Sequence, residues 1–158
     1  MTEYAERTVS LLIEKNLTIS AAESCTGGLF TKLITDVAGS SAVLDASVVT
    51  YANDAKIKFL GVSEDNIREF GVVSEAVASE MAAGATKLMG ADVGVGITGI
   101  AGPGGGSREK PVGLVWTAVC YKGKVYPAKL QLSGDRETVR EKTCEAVFKN
   151  IIDIIEKD

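Results

Sequence analysis

The sequence predicts an α/β fold: a three-layer α/β/α sandwich around a mixed β-sheet, in a single domain. Three observations predict it. Helical patterns intersperse with strand patterns early in the chain, in the order α-β-α-β-α-α-α-β-β-β-α, with no linker and no internal repeat. A hairpin pattern, VGLVWTAVCY then KVYPAKLQLSG, comes late, so the sheet is not wholly parallel. The chain has 158 residues, the size of one domain that buries roughly 70% of its unfolded surface and needs no disulfide or metal to stay folded.

Each element has its own justification. Residues 4–15 place Ala5, Val9, Leu12 and Ile13 on one helical face. TISAA (18–22) reads as a short strand that runs into Glu23-Ser24-Cys25-Thr26-Gly27-Gly28, followed by a helix carrying Leu29, Leu33, Ile34 and Val37. The stretch 43–52 has strand character, strongest from Ser47 to Tyr51. Asn53 is placed to cap a helix over 54–60 that Gly61 closes. Ser63 and Ser74 cap two more helices, ended by Gly71 and Gly90. ADVGVGITG (91–99) carries no charge after Asp92 and reads as a central strand. The hairpin turns at Lys122-Gly123, and Asp135 opens a last helix reaching about Lys157, with Val139, Thr143, Ala146, Val147, Ile151, Ile154 and Ile155 as its buried stripe.

Composition narrows the function. Apolar residues make up 46% and charged residues 24%, which excludes a disordered chain. The net charge is −4 with lysines and arginines scattered, so no direct nucleic-acid binding is expected, whereas a small phosphorylated ligand is compatible. Cys25, Cys120 and Cys144 fit neither a disulfide framework nor a zinc site, and the last two suit a core. No signal-peptide pattern and no apolar run near ~18 residues is present, so a cytoplasmic location without a membrane segment is expected. The sharpest constraint is the absence of histidine. A Ser-His-Asp or Cys-His site is ruled out, and any base must be Lys, Tyr, Asp or Glu. Metal and cofactor are expected to play no part.

Four segments could carry chemistry, each with a plainer alternative. Ser24, Cys25, Thr26, Gly27 and Gly28 sit at a helix start, where unpaired N–H groups can hold an anion or an oxyanion; Ser24 or Thr26 could equally be an ordinary cap. Tyr51 and Lys56 flank the expected cap, and an early-helix lysine, if buried, has its pKa lowered toward that of a general base; otherwise it is a surface lysine. The loop from Thr98 through Gly99, Gly102, Gly104, Gly105 and Ser107 lets backbone amides approach a ligand, although it matches no P-loop or dinucleotide fingerprint; a surface turn is the alternative. Arg136, just after Asp135, can clamp a phosphate or stand solvated.

These segments, AAESCTGG, VVTYANDAK, GVVSE, ITGIAGPGGGSREKPVGLVW and SGDR, resemble the CinA C-terminal-domain family in order and spacing, over nearly the whole chain. The resemblance implies a CinA C-terminal-like amidase domain over 1–158 that converts nicotinamide mononucleotide and water to nicotinate mononucleotide and ammonia. It carries the family's nucleophilic serine onto Ser24, and its tyrosine and lysine onto Tyr51 and Lys56. A Ser-Lys arrangement suits a chain without imidazole. Lys56, or Tyr51 working with it, would take the proton, and the N–H groups from Cys25 to Gly28 would hold the oxyanion. The Cys25 thiol is a rival nucleophile that lacks an imidazole partner.

For the nucleotide, Thr98, the glycine-rich loop and Ser107 are the first candidates, with Ser40, Ser41 and Arg136 behind them and Glu23 as a carboxylate to meet the charged ring. A second reading keeps the loop without the chemistry: a non-catalytic pyridine-nucleotide-binding module linked to competence or DNA damage. A phosphotransferase lacks both a P-loop lysine and a magnesium-binding carboxylate pair. A homo-oligomer is expected, with the apolar end Ile151-Ile152-Asp153-Ile154-Ile155 available to an interface.

Overall fold

A computed structural model describes residues 1–158. In chain order it contains α1 (Thr2–Lys15), β1 (Ile19–Glu23), α2 (Leu29–Thr35), a 3-10 turn (Ser40–Ala42), β2 (Val48–Val49), α3 (Asn53–Leu60), α4 (Glu64–Phe70) and α5 (Glu75–Met89). β3 (Val93–Gly99), β4 (Leu114–Tyr121), β5 (Lys124–Gln131) and α6 (Arg136–Glu156) complete it. The five strands form one sheet in the order β2-β1-β3-β4-β5. β1 pairs parallel with β2 and β3, and β4 pairs antiparallel with β3 and β5. Helices α1, α2 and α6 enclose the larger core on one face, around Phe30, Ile97 and Phe148. The other face carries α3, α4 and α5, with Val77, Met81 and Ala85 against Ala22. This is the mixed-sheet sandwich that the sequence predicts.

Local chemistry explains most boundaries. Ser63 accepts from Asn66 N at 3.2 Å and Ser74 from Val77 N at 3.3 Å, as caps do. Lys122 and Gly123 both take positive φ, which a two-residue hairpin turn with matching twist requires. The glycines of β3 have a packing reason: a Cβ on Gly96 would stand 2.2 Å from the Ala78 carbonyl oxygen, so α5 lies directly on the strand.

Some expectations are corrected. Asn53 does not cap α3; the cap is Ala52, which makes no side-chain bond, and Asn53 is the first helical residue. The strand expected over 43–52 shrinks to Val48–Val49 plus a bridge from Leu44 to Ile19, because only that much of the segment runs beside β1. On α1, Leu11 is buried while Ile13 is 47% exposed, so the buried stripe is rotated toward Thr8 and Leu11. On α6, Cys144 and Phe148 fill positions expected of Ala146 and Ile154, which are only half-buried.

The topology positions the site. β1, β2 and β3 run in one direction, so their carboxyl ends share one edge of the sheet. β4 begins at that edge, where Val115 pairs with Gly99, and β5 ends there, where Gln131 pairs with Leu114. The turn after β1, the start of α3, the loop after β3 and the first turn of α6 therefore meet.

Candidate active site

A pocket of about 480 Å³ opens at that edge, lined by Ser24, Cys25, Tyr51, Asn53, Lys56, Gly71–Val73, Thr98–Gly102, Gly104, Gly105, Ser107, Lys110 and Arg136. Three basic side chains, Lys56, Lys110 and Arg136, face it, and no carboxylate does.

At its floor, β1 delivers Ser24 and the first turn of α3 delivers Lys56. Ser24 is 8% exposed and Lys56 1%. The Lys56 amine lies 3.0 Å from Ser24 Oγ, 2.6 Å from the Thr50 carbonyl oxygen and 3.4 Å from that of Tyr51. No carboxylate pairs with it. Removal from water disfavours the ammonium, so burial lowers the Lys56 pKa from its usual value. A neutral amine has two N–H bonds and one lone pair. In that form, with the two carbonyls taking the N–H bonds, the lone pair would be free for the Ser24 hydroxyl; protonated, the amine donates to Ser24 Oγ instead.

The turn after Ser24 is held by a buried acid. Glu23 is fully buried and accepts from Thr26 Oγ1 (2.6 Å), Gly28 N (3.0 Å), Phe30 N (3.2 Å), Thr31 N (2.9 Å) and Thr31 Oγ1 (2.7 Å). This corrects two expectations. Glu23 does not face the pocket and cannot meet a charged ring. Of the four amides expected to serve an oxyanion, Gly28 N is taken by Glu23 and Gly27 N by the Ser24 carbonyl at 3.0 Å. Cys25 N and Thr26 N donate to no protein acceptor. The Cys25 thiol is pushed up to about 11 by burial, so it is protonated at neutral pH.

The remaining expectations divide. Gly99, Gly102, Gly104, Gly105 and Ser107 line the pocket. Thr98 lines it too, but its hydroxyl donates to the Val72 carbonyl at 3.0 Å and ties two walls together. Arg136 donates to the Gly102 carbonyl (2.9 Å) and to the Tyr51 hydroxyl (3.2 Å). The Tyr51 hydroxyl therefore meets Arg136 rather than Ser24. Ser40 and Ser41 are not brought to the pocket. Their turn leads into Val43, whose carbonyl bonds Ile19 N at the start of β1, and that strand, roughly 15 Å long, separates them from Ser24.

Sequence reasoning missed three residues. Lys110 lines the pocket and donates to the Phe70 carbonyl; its place beside the glycine-rich loop was the available signal. Arg140 donates to the Thr26 carbonyl at 2.7 Å from α6, a contact with no local signature. Asn53 lines the pocket instead of capping α3.

Comparison with known proteins names this architecture. The sequence pattern of the family described as the CinA C-terminal domain matches residues 1–155. The chain belongs to the CinA C-terminal domain family. The nicotinamide-nucleotide amidohydrolase PncC of Enterobacter agglomerans is 58% identical over 77% of this chain and 75% of its own length. A CinA-like protein of Kosmotoga olearia is 51% identical over 87% of this chain, but over only 33% of itself. The chain likewise spans 34% of a relative from Clostridium acetobutylicum, about a third of such longer proteins. Among solved structures, a CinA superfamily protein from Klebsiella pneumoniae superposes with a TM-score of 0.96 at 31% identity, over 99% of this chain and 98% of that one. The competence/damage inducible protein CihA of Agrobacterium tumefaciens gives 0.93 at 43% identity, over 96% and 93%. No helix of this CinA domain is long and apolar enough to cross a membrane.

Proposed function

We propose that this CinA domain is an amidohydrolase acting on the carboxamide of nicotinamide mononucleotide, with Ser24 as nucleophile and Lys56 as base. One observation carries the reading: a buried lysine amine without a carboxylate partner, 3.0 Å from a serine hydroxyl that faces a pocket. The kinship with an amidohydrolase of nicotinamide nucleotides supports the substrate class. The pocket's charge supports it too, since Lys110 and Arg136 suit a phosphate and no acid opposes it.

The reaction runs in two halves. Neutral Lys56 takes the Ser24 proton as Oγ bonds to the carboxamide carbon. The carbonyl oxygen becomes an oxyanion, and Cys25 N, on a residue that lines the pocket and with no protein acceptor, is the donor for it; Thr26 does not line the pocket. Lys56 then returns the proton to the nitrogen as the C–N bond breaks, releasing ammonia and leaving an ester on Ser24. Water, giving a proton to Lys56, attacks that ester; the C–O bond to Ser24 breaks, Ser24 recovers its proton, and nicotinate mononucleotide is formed. Tyr51, held by Arg136, forms part of the nucleotide wall in this reading, and Lys56 alone is the base.

The test is ammonia release from nicotinamide mononucleotide, with product binding measured in parallel. Stoichiometric ammonia and nicotinate mononucleotide are expected, and Ser24→Ala should bind the nucleotide without releasing ammonia. Tight binding with no release by the wild type would support a non-catalytic pyridine-nucleotide module instead.

A further inference from the structure

Glu23 is the one fully buried carboxylate, and the mechanism above gives it no step. Burying a carboxylate is costly unless its oxygens are satisfied. None of the molecule's ion pairs includes Glu23, so no cation in salt-bridge contact offsets that cost. Instead five donors converge on it, two on Oε1 and three on Oε2. All five belong to the segment from Thr26 to Thr31, which begins two residues after Ser24. The Glu23 backbone is fixed as well: it pairs with Val49 in the sheet, and its carbonyl accepts from Thr50 N at 2.9 Å. The next carbonyl along, that of Thr50, holds the Lys56 amine. Glu23 thus joins the strand edge that places Lys56 to the turn that places Ser24. Arg140 grips the same turn from the other side through the Thr26 carbonyl.

We propose that Glu23 is a positioning residue, whose carboxylate fixes the turn after Ser24 so that the serine hydroxyl stays in line with the Lys56 amine. The reasoning rests on the Ser24–Lys56 reading of the site, but not on the identity of the amide. A carboxylate is needed, not only a polar side chain of that length. In Glu23→Gln the new NH2 must face either the Thr31 N–H or the Gly28 and Phe30 N–H groups, donor against donor. The turn must then shift, and a misplacement of about 1 Å at a reacting group costs on the order of 100-fold in rate.

The experiment measures the rate at which a fluorophosphonate labels Ser24, by mass spectrometry, beside kcat and KM for nicotinamide mononucleotide and calorimetric binding of nicotinate mononucleotide. In Glu23→Gln, labelling and kcat should fall together by about 30- to 100-fold, while KM and product affinity change less than about threefold. A purely structural role would lower the bound fraction and the activity in proportion, and would leave the labelling rate per bound site unchanged. Thr31→Val, which deletes one hydroxyl donor and is milder on folding, should reduce labelling in the same direction by about threefold to tenfold. Labelling of both variants at the wild-type rate, or no Ser24 labelling in the wild type, overturns the proposal. Wild-type labelling without ammonia release defeats the amidase reading alone and leaves Glu23 in its role.

Discussion

The turn from Glu23 to Gly28 and the loop from Ile100 to Lys110 line the same pocket, and they are built in opposite ways. In the turn, Glu23, Ser24, Cys25 and Thr26 are buried, and both Glu23 carboxylate oxygens, the Ser24 hydroxyl and the Thr26 carbonyl are bonded to the turn itself, α2, α3 or α6. The loop exposes every residue from Pro103 to Glu109. It is tied at its base by the Ile100–Leu114 and Gly113–Ile100 bonds, at its far end by Ser107 with Lys110, and on its flank by Arg136. In the proposed function, chemistry that depends on tenths of an ångström falls to the buried, tightly bonded turn. In the same proposal, recognition of a nucleotide, which tolerates adjustment and uses backbone amides, falls to the adaptable side. Substitutions in the turn should therefore act on kcat, and substitutions facing the loop on KM.

That contrast can be broken in several ways. The largest effect is expected at the floor: Ser24→Ala or Lys56→Met should lower kcat by about 10⁴-fold or more, with KM little changed, measured as ammonia released. Next come the cations near the loop. Arg136→Ala and Lys110→Ala should each raise KM by about 10- to 100-fold, the equivalent of one charge-assisted hydrogen bond of about 1.5–3 kcal/mol, with kcat within about threefold. The phosphate-free nucleoside should lose at least that factor in the wild type, since both cations then lose their partner, and should lose little more in either variant.

A third test uses pH. Burial lowers the Lys56 pKa, so the amine is active when deprotonated: kcat should be full above the lowered pKa and lost as pH falls through it. The half-point should lie below the ordinary lysine value of 10.5. Stability follows the same sign. The folded state binds fewer protons than the unfolded state between the lowered pKa and 10.5, so this group destabilises the fold at low pH, and stability rises with pH across that window. Lys56→Met should flatten that rise in urea melts. The smallest effect is expected at Cys25→Ala, about threefold on kcat, because the thiol is protonated while the Cys25 N–H remains.

The fold was legible where local signals are strong: Ser63, Ser74 and Asp135 cap helices as expected, and Lys122-Gly123 turns the hairpin. The pairing of Ser24 with Lys56 was legible only through the family resemblance, which carries a serine and a lysine onto these positions; read by itself, Lys56 passes as a surface lysine, and the structure brings its amine within 3.0 Å of Ser24 Oγ. What stayed hidden depends on distant contacts. Glu23 reads from sequence as a ligand-facing acid, and only the path of α2 reveals five donors around it. Ser40 and Ser41 resemble ligand hydroxyls until the strand register puts them at the wrong end of β1. Arg140 reaches Thr26 across 114 positions of sequence, a pairing no periodicity encodes.

The most direct test of the Ser24–Lys56 arrangement is the titration of Lys56 itself, followed by NMR in protein labelled at the lysine ε-carbons and assigned with Lys56→Met. A midpoint clearly below 10.5, with Ser24→Ala leaving the resonance buried and in place, is the predicted result. A midpoint at or above 10.5 would mean a permanently charged ammonium that cannot take the serine proton.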